Sequence, residues 1–151
     1  MTTILGISAF YHDSAATILV DGVIIAAAQE ERFTRKKHDA SYPFNAVEFV
    51  LNFSNLKLAD VDQIIFYEKP FLKFERLIET YVAFAPKGFK SFSKAMPIWL
   101  NEKLFQKRLI LNHLKDHDIN FYDESKILFS EHHLSHAASA FYPSPFEEAI
   151  I

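Results

Sequence analysis

Cysteine is absent from the 151 residues. That excludes a disulfide scaffold and any thiolate metal site, and it fits a reducing compartment. No apolar run approaches the roughly 18 residues that a membrane span needs. The opening MTTILGISAF lacks the basic segment and long apolar core of a secretory signal. A cytoplasmic protein with no membrane partner is the resulting expectation. A strong charge of one sign is missing too. A formal net charge of −3 gives no global reason to expect nucleic acid. There is no internal repeat and no low-complexity segment. What is present is apolar bulk. Half of the residues are hydrophobic and 23% are charged, enough for the core of one domain or of one lobe of a larger one. The 16 phenylalanines are many for this length and point to a thick core or to an apolar surface that meets something else.

The chain opens with TILGISAF, rich in β-branched residues and read as a short buried strand. SAATILVDGVIIAAAQEERF follows as two apolar runs joined by Asp21-Gly22, a pair that favours a type I′ hairpin turn because both positions need positive φ. Three antiparallel strands are therefore expected, with the polar loop Phe10–Ser14 between the first two. Residues 30–44 read as charged and irregular. Ser41 and Pro43 mark a helix start, and FNAVEFVLNFSNL has helical periodicity. VDQIIFYEK reads as a fourth strand. From Pro70 to Asp118 the pattern is helical, with breaks expected at Pro86-Lys87-Gly88 and at Pro97. SKILFSE reads as a fifth strand, and HHLSHAASAFY as a helix ended by Pro143 and Pro145. EEAII reads as the start of a sixth strand. The fold class is α/β with a mixed sheet. A three-strand antiparallel meander followed by crossovers resembles the first lobe of the actin-like, ribonuclease H-like superfamily, because a plain doubly wound fold would alternate strand and helix from the start.

Three segments carry candidate chemistry. In SEHHLSH, His132 and His136 stand at i and i+4 of the expected helix, so two imidazoles share one face and can bind one divalent metal. No Glu follows His132, so the HExxH reading fails. His133 points away. A complete site needs at least one more ligand, and the alternative is a pair of exposed helix histidines. In AFYHDSAA, His12 can act as a general base and Asp13 can orient it or bind an acceptor hydroxyl, while small residues let a ligand approach the backbone. The alternative is a polar turn with an incidental histidine. In EERFTRKKHD, Arg32, Arg35, Lys36, Lys37 and His38 form a cluster able to hold a phosphate or a polarised carbonyl, against a solvated charged turn. Lys69 to Arg108 carries nine Lys/Arg against three Glu, with eight aromatics interleaved. It reads as an amphipathic helical insert with aromatics inward and lysines outward, with Trp99 and the phenylalanines packing on further chain or covering a ligand.

GISAFYHDSAA after the first strand, EERFTRKKHD after the third and EHHLSHAASAFYPSPFEEA before a later one together resemble the N-terminal part of the nodulation-type O-carbamoyltransferases. The resemblance spans the chain, although residues 70–118 carry none of its motifs. It implies a much longer protein. Residues 1–151 would form the N-terminal lobe of an actin-like carbamoyltransferase domain, with an insert at about 70–118. A second domain, of the kind found in threonylcarbamoyl-adenylate synthases and absent here, would make carbamoyl adenylate from carbamoyl phosphate and ATP. The actin-like domain would then pass the carbamoyl group to a hydroxyl of a small-molecule acceptor such as a sugar or antibiotic. It is similar to the metalloprotein that installs threonylcarbamoyl on tRNA, where an HxxxH pair and a later Asp hold the metal. His132 and His136 match that pair. Neutral imidazoles suit Zn, Fe, Ni and Cu, with Fe or Zn the first expectation.

On this reading His12 is the base and Lys37, with the metal, meets the developing charge. Asp13, Arg32 and His38 contact substrate or shape the loop. The chain's partners are the acceptor, carbamoyl adenylate and the remainder of the same polypeptide. This chain alone is expected to be inactive, and a homo-oligomer is left open. Two other readings stay open: a tRNA-modifying relative, and a non-catalytic metal-binding or interaction module.

Overall fold

The computed structural model describes residues 1–69, 78–103 and 105–150, with the backbone only at 95 and 98–103. One five-stranded sheet organises them, in the order β3-β2-β1-β4-β5. β1 (Thr3–Ser8) pairs antiparallel with β2 (Ala15–Val20), and β2 pairs antiparallel with β3 (Val23–Gln29). Asp21 and Gly22 both take positive φ, 49° and 83°, as a type I′ turn demands. β4 (Gln63–Phe66) then joins the other edge of β1 in parallel, and β5 (Ile127–Phe129) joins β4 in parallel. The sheet is mixed and the fold is α/β.

Alternation decides which face is covered. Thr3, Leu5 and Ile7 of β1 are buried while Ile4, Gly6 and Ser8 are only partly so. The buried face meets α2 (Phe44–Phe53) through Ala46, Val47, Val50 and Leu51, and α4 (Gln106–His117) through Ile110, Leu111 and Leu114. Ile18, Ile64, Phe66 and Ile127 complete this core. Each such aliphatic side chain contributes roughly 1.5–3 kcal/mol on burial. α5 (His132–Phe141) is tied to the segment just after β4 through Ser135, whose hydroxyl donates to the Tyr67 carbonyl at 3.0 Å.

The start of α2 is built by a distant residue. Pro43 stands at its N-cap and offers no side-chain bond. Glu30, at the end of β3 and 2% exposed, accepts the N–H of Asn45 at 3.2 Å and of Ala46 at 2.8 Å. A carboxylate there satisfies orphan donors and complements the positive end of the helix.

Four expectations are corrected. Residues 30–44 contain a one-turn helix, α1 (Glu31–Thr34), within the charged stretch. Pro97 lies inside α3 (Phe89–Lys103) and does not end it. A proline's fixed φ is itself helical, so the helix loses one backbone bond and continues. In the basic-aromatic stretch Tyr81 stacks on Phe92 at 3.9 Å, but Val82, Phe84 and Phe89 face outward, so the apolar side chains are not all inward. Residues 147–150 form no strand, since a strand is made by its ladder and none of the described strands pairs with them. The helical expectation over 70–77 and the role given to Trp99 lie outside the described residues.

Candidate functional site

β1, β4 and β5 run parallel, so their carboxyl ends share one edge. The chain leaves that edge three times: at 9–14 after β1, at 67–69 after β4 and at 130–132 after β5. Ligands of open α/β sheets bind outside such an edge. The expected histidines fall on it, in two groups.

The first group is a carboxylate between two imidazoles. Asp13 Oδ2 lies 2.8 Å from His12 Nδ1, and Asp13 Oδ1 lies 2.9 Å from His38 Nδ1. An ionised carboxylate only accepts hydrogen bonds, so each Nδ1 carries a proton. In the neutral rings each Nε2 then keeps a lone pair. The His38 bond, followed by the His12 bond, holds the Asp13 carboxyl below the usual carboxylate range, although partial burial works against them. Both imidazoles are exposed. Tyr11 lies against His12, ring centres 4.5 Å apart.

Backbone bonds bring His38 to Asp13. The Phe10 N–H donates to the Ala40 carbonyl, and the Ser14 N–H donates to the Asp39 carbonyl, both at 2.8 Å. The Ser14 hydroxyl donates to that same carbonyl at 2.9 Å. Segments 10–14 and 38–41 are thereby locked side by side. Local conformation is strained there. Phe10, Asp13, Arg35 and His38 all have positive φ, between 49° and 69°. An aromatic residue in that region is an outlier, and such outliers gather where function fixes the backbone.

The second group opens α5. The His132 and His136 rings lie 4.6 Å apart at 81°, one helical turn from each other. His133 is exposed and its ring is 5.6 Å from His132. Among the described residues no set of three His, Asp or Glu could hold a metal ion. The paired imidazoles still fit as two ligands of a borderline divalent cation. Glu131 is held by the Lys69 ammonium at 3.1 Å. Tyr67 adjoins the second group: its ring is 5.8 Å from His132, and its hydroxyl is pushed up to about 12, by burial first and then by Glu68 and Tyr11. Beside it a cleft of about 510 Å³ runs between the sheet and α5, floored by Gly6, Ser8 and Thr17 and walled by Tyr67, Ser130 and Ser135.

The structure thus joins His12, Asp13 and His38, and joins His132 to His136. Lys37 is exposed beside His38, with no hydrogen bond or ion pair among the described residues. Arg32 is one step removed. It lies 3.9 Å from Glu31, which itself accepts the His38 N–H at 3.3 Å. Three residues escaped the sequence reading. Tyr67 and buried Glu68 were absorbed into a strand reading that ran through Lys69, whereas β4 ends at Phe66. Asp39 has no role in the sequence reading; only its pairing with Ser14 reveals it as the lock.

Comparison with known proteins places the chain in a family. Residues 3–151 match the family model for the carbamoyltransferase N-terminus. The chain is 57% identical over 152 residues to the uncharacterized protein sll1178 of Synechocystis sp., covering 100% of this chain and 25% of that protein. It is 34% identical over 145 residues to nodulation protein NolNO of Sinorhizobium fredii, covering 94% of this chain and 19% of that protein. The chain therefore spans a quarter or less of the length of either relative. With the match running from β1 through α5, the chain belongs to the carbamoyltransferase N-terminus family.

Proposed function

We propose that this chain is the acceptor-activating lobe of an O-carbamoyltransferase, with the fold of an actin-like first lobe and the remainder of the same polypeptide completing the site. The donor is carbamoyl adenylate, made elsewhere in that polypeptide from carbamoyl phosphate and ATP. The acceptor is a hydroxyl of a small molecule. The observation that carries this reading is the Asp13 carboxylate between two imidazoles at the carboxyl edge of the parallel strands. With its Nδ1 proton committed to Asp13, His12 presents Nε2 as base.

The chemistry balances at these atoms. The hydroxyl oxygen forms a bond to the carbamoyl carbon, and its proton passes to His12 Nε2. The bond from that carbon to the phosphate oxygen breaks and AMP leaves. Asp13 stabilises the imidazolium that forms. Its two oxygens already accept the imidazole N–H groups, so orienting His12 suits it better than gripping the acceptor. The Lys37 ammonium is the cation proposed to meet negative charge on the carbamoyl oxygen. His132 and His136 would hold a divalent metal, Fe or Zn, which when bound supplies Lewis-acid charge.

Replacing His12 by Ala in the complete polypeptide tests the reading. Transfer should fall by roughly 10²–10⁴, with metal content unchanged. Wild-type turnover in that variant would remove His12 as the base.

A further inference from the structure

We infer that His38 is a positioning residue: by holding the second oxygen of Asp13 it fixes the carboxylate that selects the working tautomer of His12. The inference rests on the reading of His12 as base and assigns a specific task to a residue outside that proton path.

A carboxylate that shares both oxygens between two N–H donors has its plane set at two points. With one donor removed, rotation about the Cβ–Cγ bond is restrained at one point only. His12 and Asp13 are chain neighbours, so their contact is local and adaptable. His38 lies 25 residues away and ties the carboxylate to the opposite segment. That segment is clamped independently of the imidazoles, through Ser14 to Asp39 and Phe10 to Ala40. The His38 ring thus hangs from a fixed backbone, and the fold holds that residue at φ 55° to aim it. A non-glycine residue at such a φ is strained backbone of the kind that gathers where function fixes the chain.

The charged neighbours leave this assignment intact. Glu31 Oε2 takes the His38 backbone N–H, not its ring. Lys36 lies 3.6 Å from Asp39 Oδ1, and Asp39 is otherwise engaged by Ser41 and Thr34. Arg32 is at Glu31, and Lys37 precedes His38 in the turn. The Tyr11 ring lies against His12.

Three substitutions separate side chain from backbone. His38→Asn places an amide nitrogen where Nδ1 stands and suits positive φ. His38→Gly relieves the backbone and removes the donor. His38→Ala removes the donor and keeps the strain. In the complete polypeptide, His38→Gly and His38→Ala should lower kcat by about tenfold or more, with KM for the carbamoyl donor nearly unchanged. His38→Asn should stay within about threefold of wild type on the same measure. Histidine-selective nitrogen spectra should show His12 with its proton on Nδ1 in wild type and in His38→Asn. In the glycine and alanine variants part of it should move to Nε2. A wild-type kcat and spectrum in His38→Gly would overturn the inference, as would a His38→Asn variant as impaired as His38→Gly. Wild-type turnover in His12→Ala would sink the base reading alone, because the nitrogen spectra report on His38 without any turnover.

Discussion

Asp39 uses all three of its oxygens. Oδ1 accepts the Ser41 N–H at 3.1 Å and the Ser41 hydroxyl at 2.5 Å, Oδ2 accepts the Thr34 hydroxyl at 3.0 Å, and the carbonyl accepts from Ser14. The Ser41 bonds, the hydroxyl first, hold its carboxyl down at about 2. Its folded value is therefore below the roughly 3.9 of an unfolded chain. A group shifted in that direction stabilises the fold fully above the unfolded value and loses its contribution as pH falls through the folded one. Asp39→Asn should be less stable than wild type at pH 7. The gap should close between about pH 4 and pH 2, as followed by urea unfolding at each pH; a gap constant over that range would contradict the charge assignment. At this scale the sequence was half legible. His12 and Asp13 are adjacent and could be paired on sight. The partnership of Asp13 with His38 depends on how two loops dock, and nothing local in EERFTRKKHD announces it. The i, i+4 rule did place the His132 and His136 rings together.

Among the elements, β1 and β2 approach closely at Gly6. A Cβ added there would stand 2.8 Å from Thr17 Cγ2, and the Thr17 hydroxyl is tied to the Ala26 carbonyl at 3.1 Å. The threonine cannot turn away without losing that bond. Gly6→Ala should cost about 1–3 kcal/mol. Thr17→Ser removes the clashing methyl, so the double variant should recover most of that loss, and denaturant unfolding of the four proteins measures the cycle. Additive effects would show that the contact is relieved some other way. Elements with a local chemical cause were legible from sequence: the Asp21-Gly22 turn, the periodic α2 and the small-residue α5. Elements whose bounds depend on distant partners were not. Glu30 caps α2 from the end of β3, Pro97 is carried inside a helix, and residues 147–150 have the composition of a strand without a ladder.

For the whole molecule the exposed surfaces are informative. β3 is a sheet edge, and Val23, Ile24 and Ile25 are 62%, 56% and 38% exposed on it. Register slips between Ile18 and Leu19, so that Ile18 pairs with Ala26 and Leu19 with Ile24, a bulge that blunts the edge without covering it. Unpaired edges recruit other strands. This chain alone should self-associate through β3, and Ile24→Lys should reduce that association in sedimentation without lowering stability by more than about 0.5 kcal/mol. Unchanged association would place the contact elsewhere. The mixed sheet was readable as a sequence of strands, but its parallel half was readable only as an order, because β2, β3, α1 and α2 lie between β1 and β4, and α3 and α4 lie between β4 and β5. The clamp between loops 10–14 and 38–41 has a consequence for synthesis. Every backbone bond that seats Asp13 beside His38 joins residues within the first 41. As the polypeptide leaves the ribosome, every residue of the histidine–aspartate pair has therefore been translated well before the metal-type pair at the start of α5.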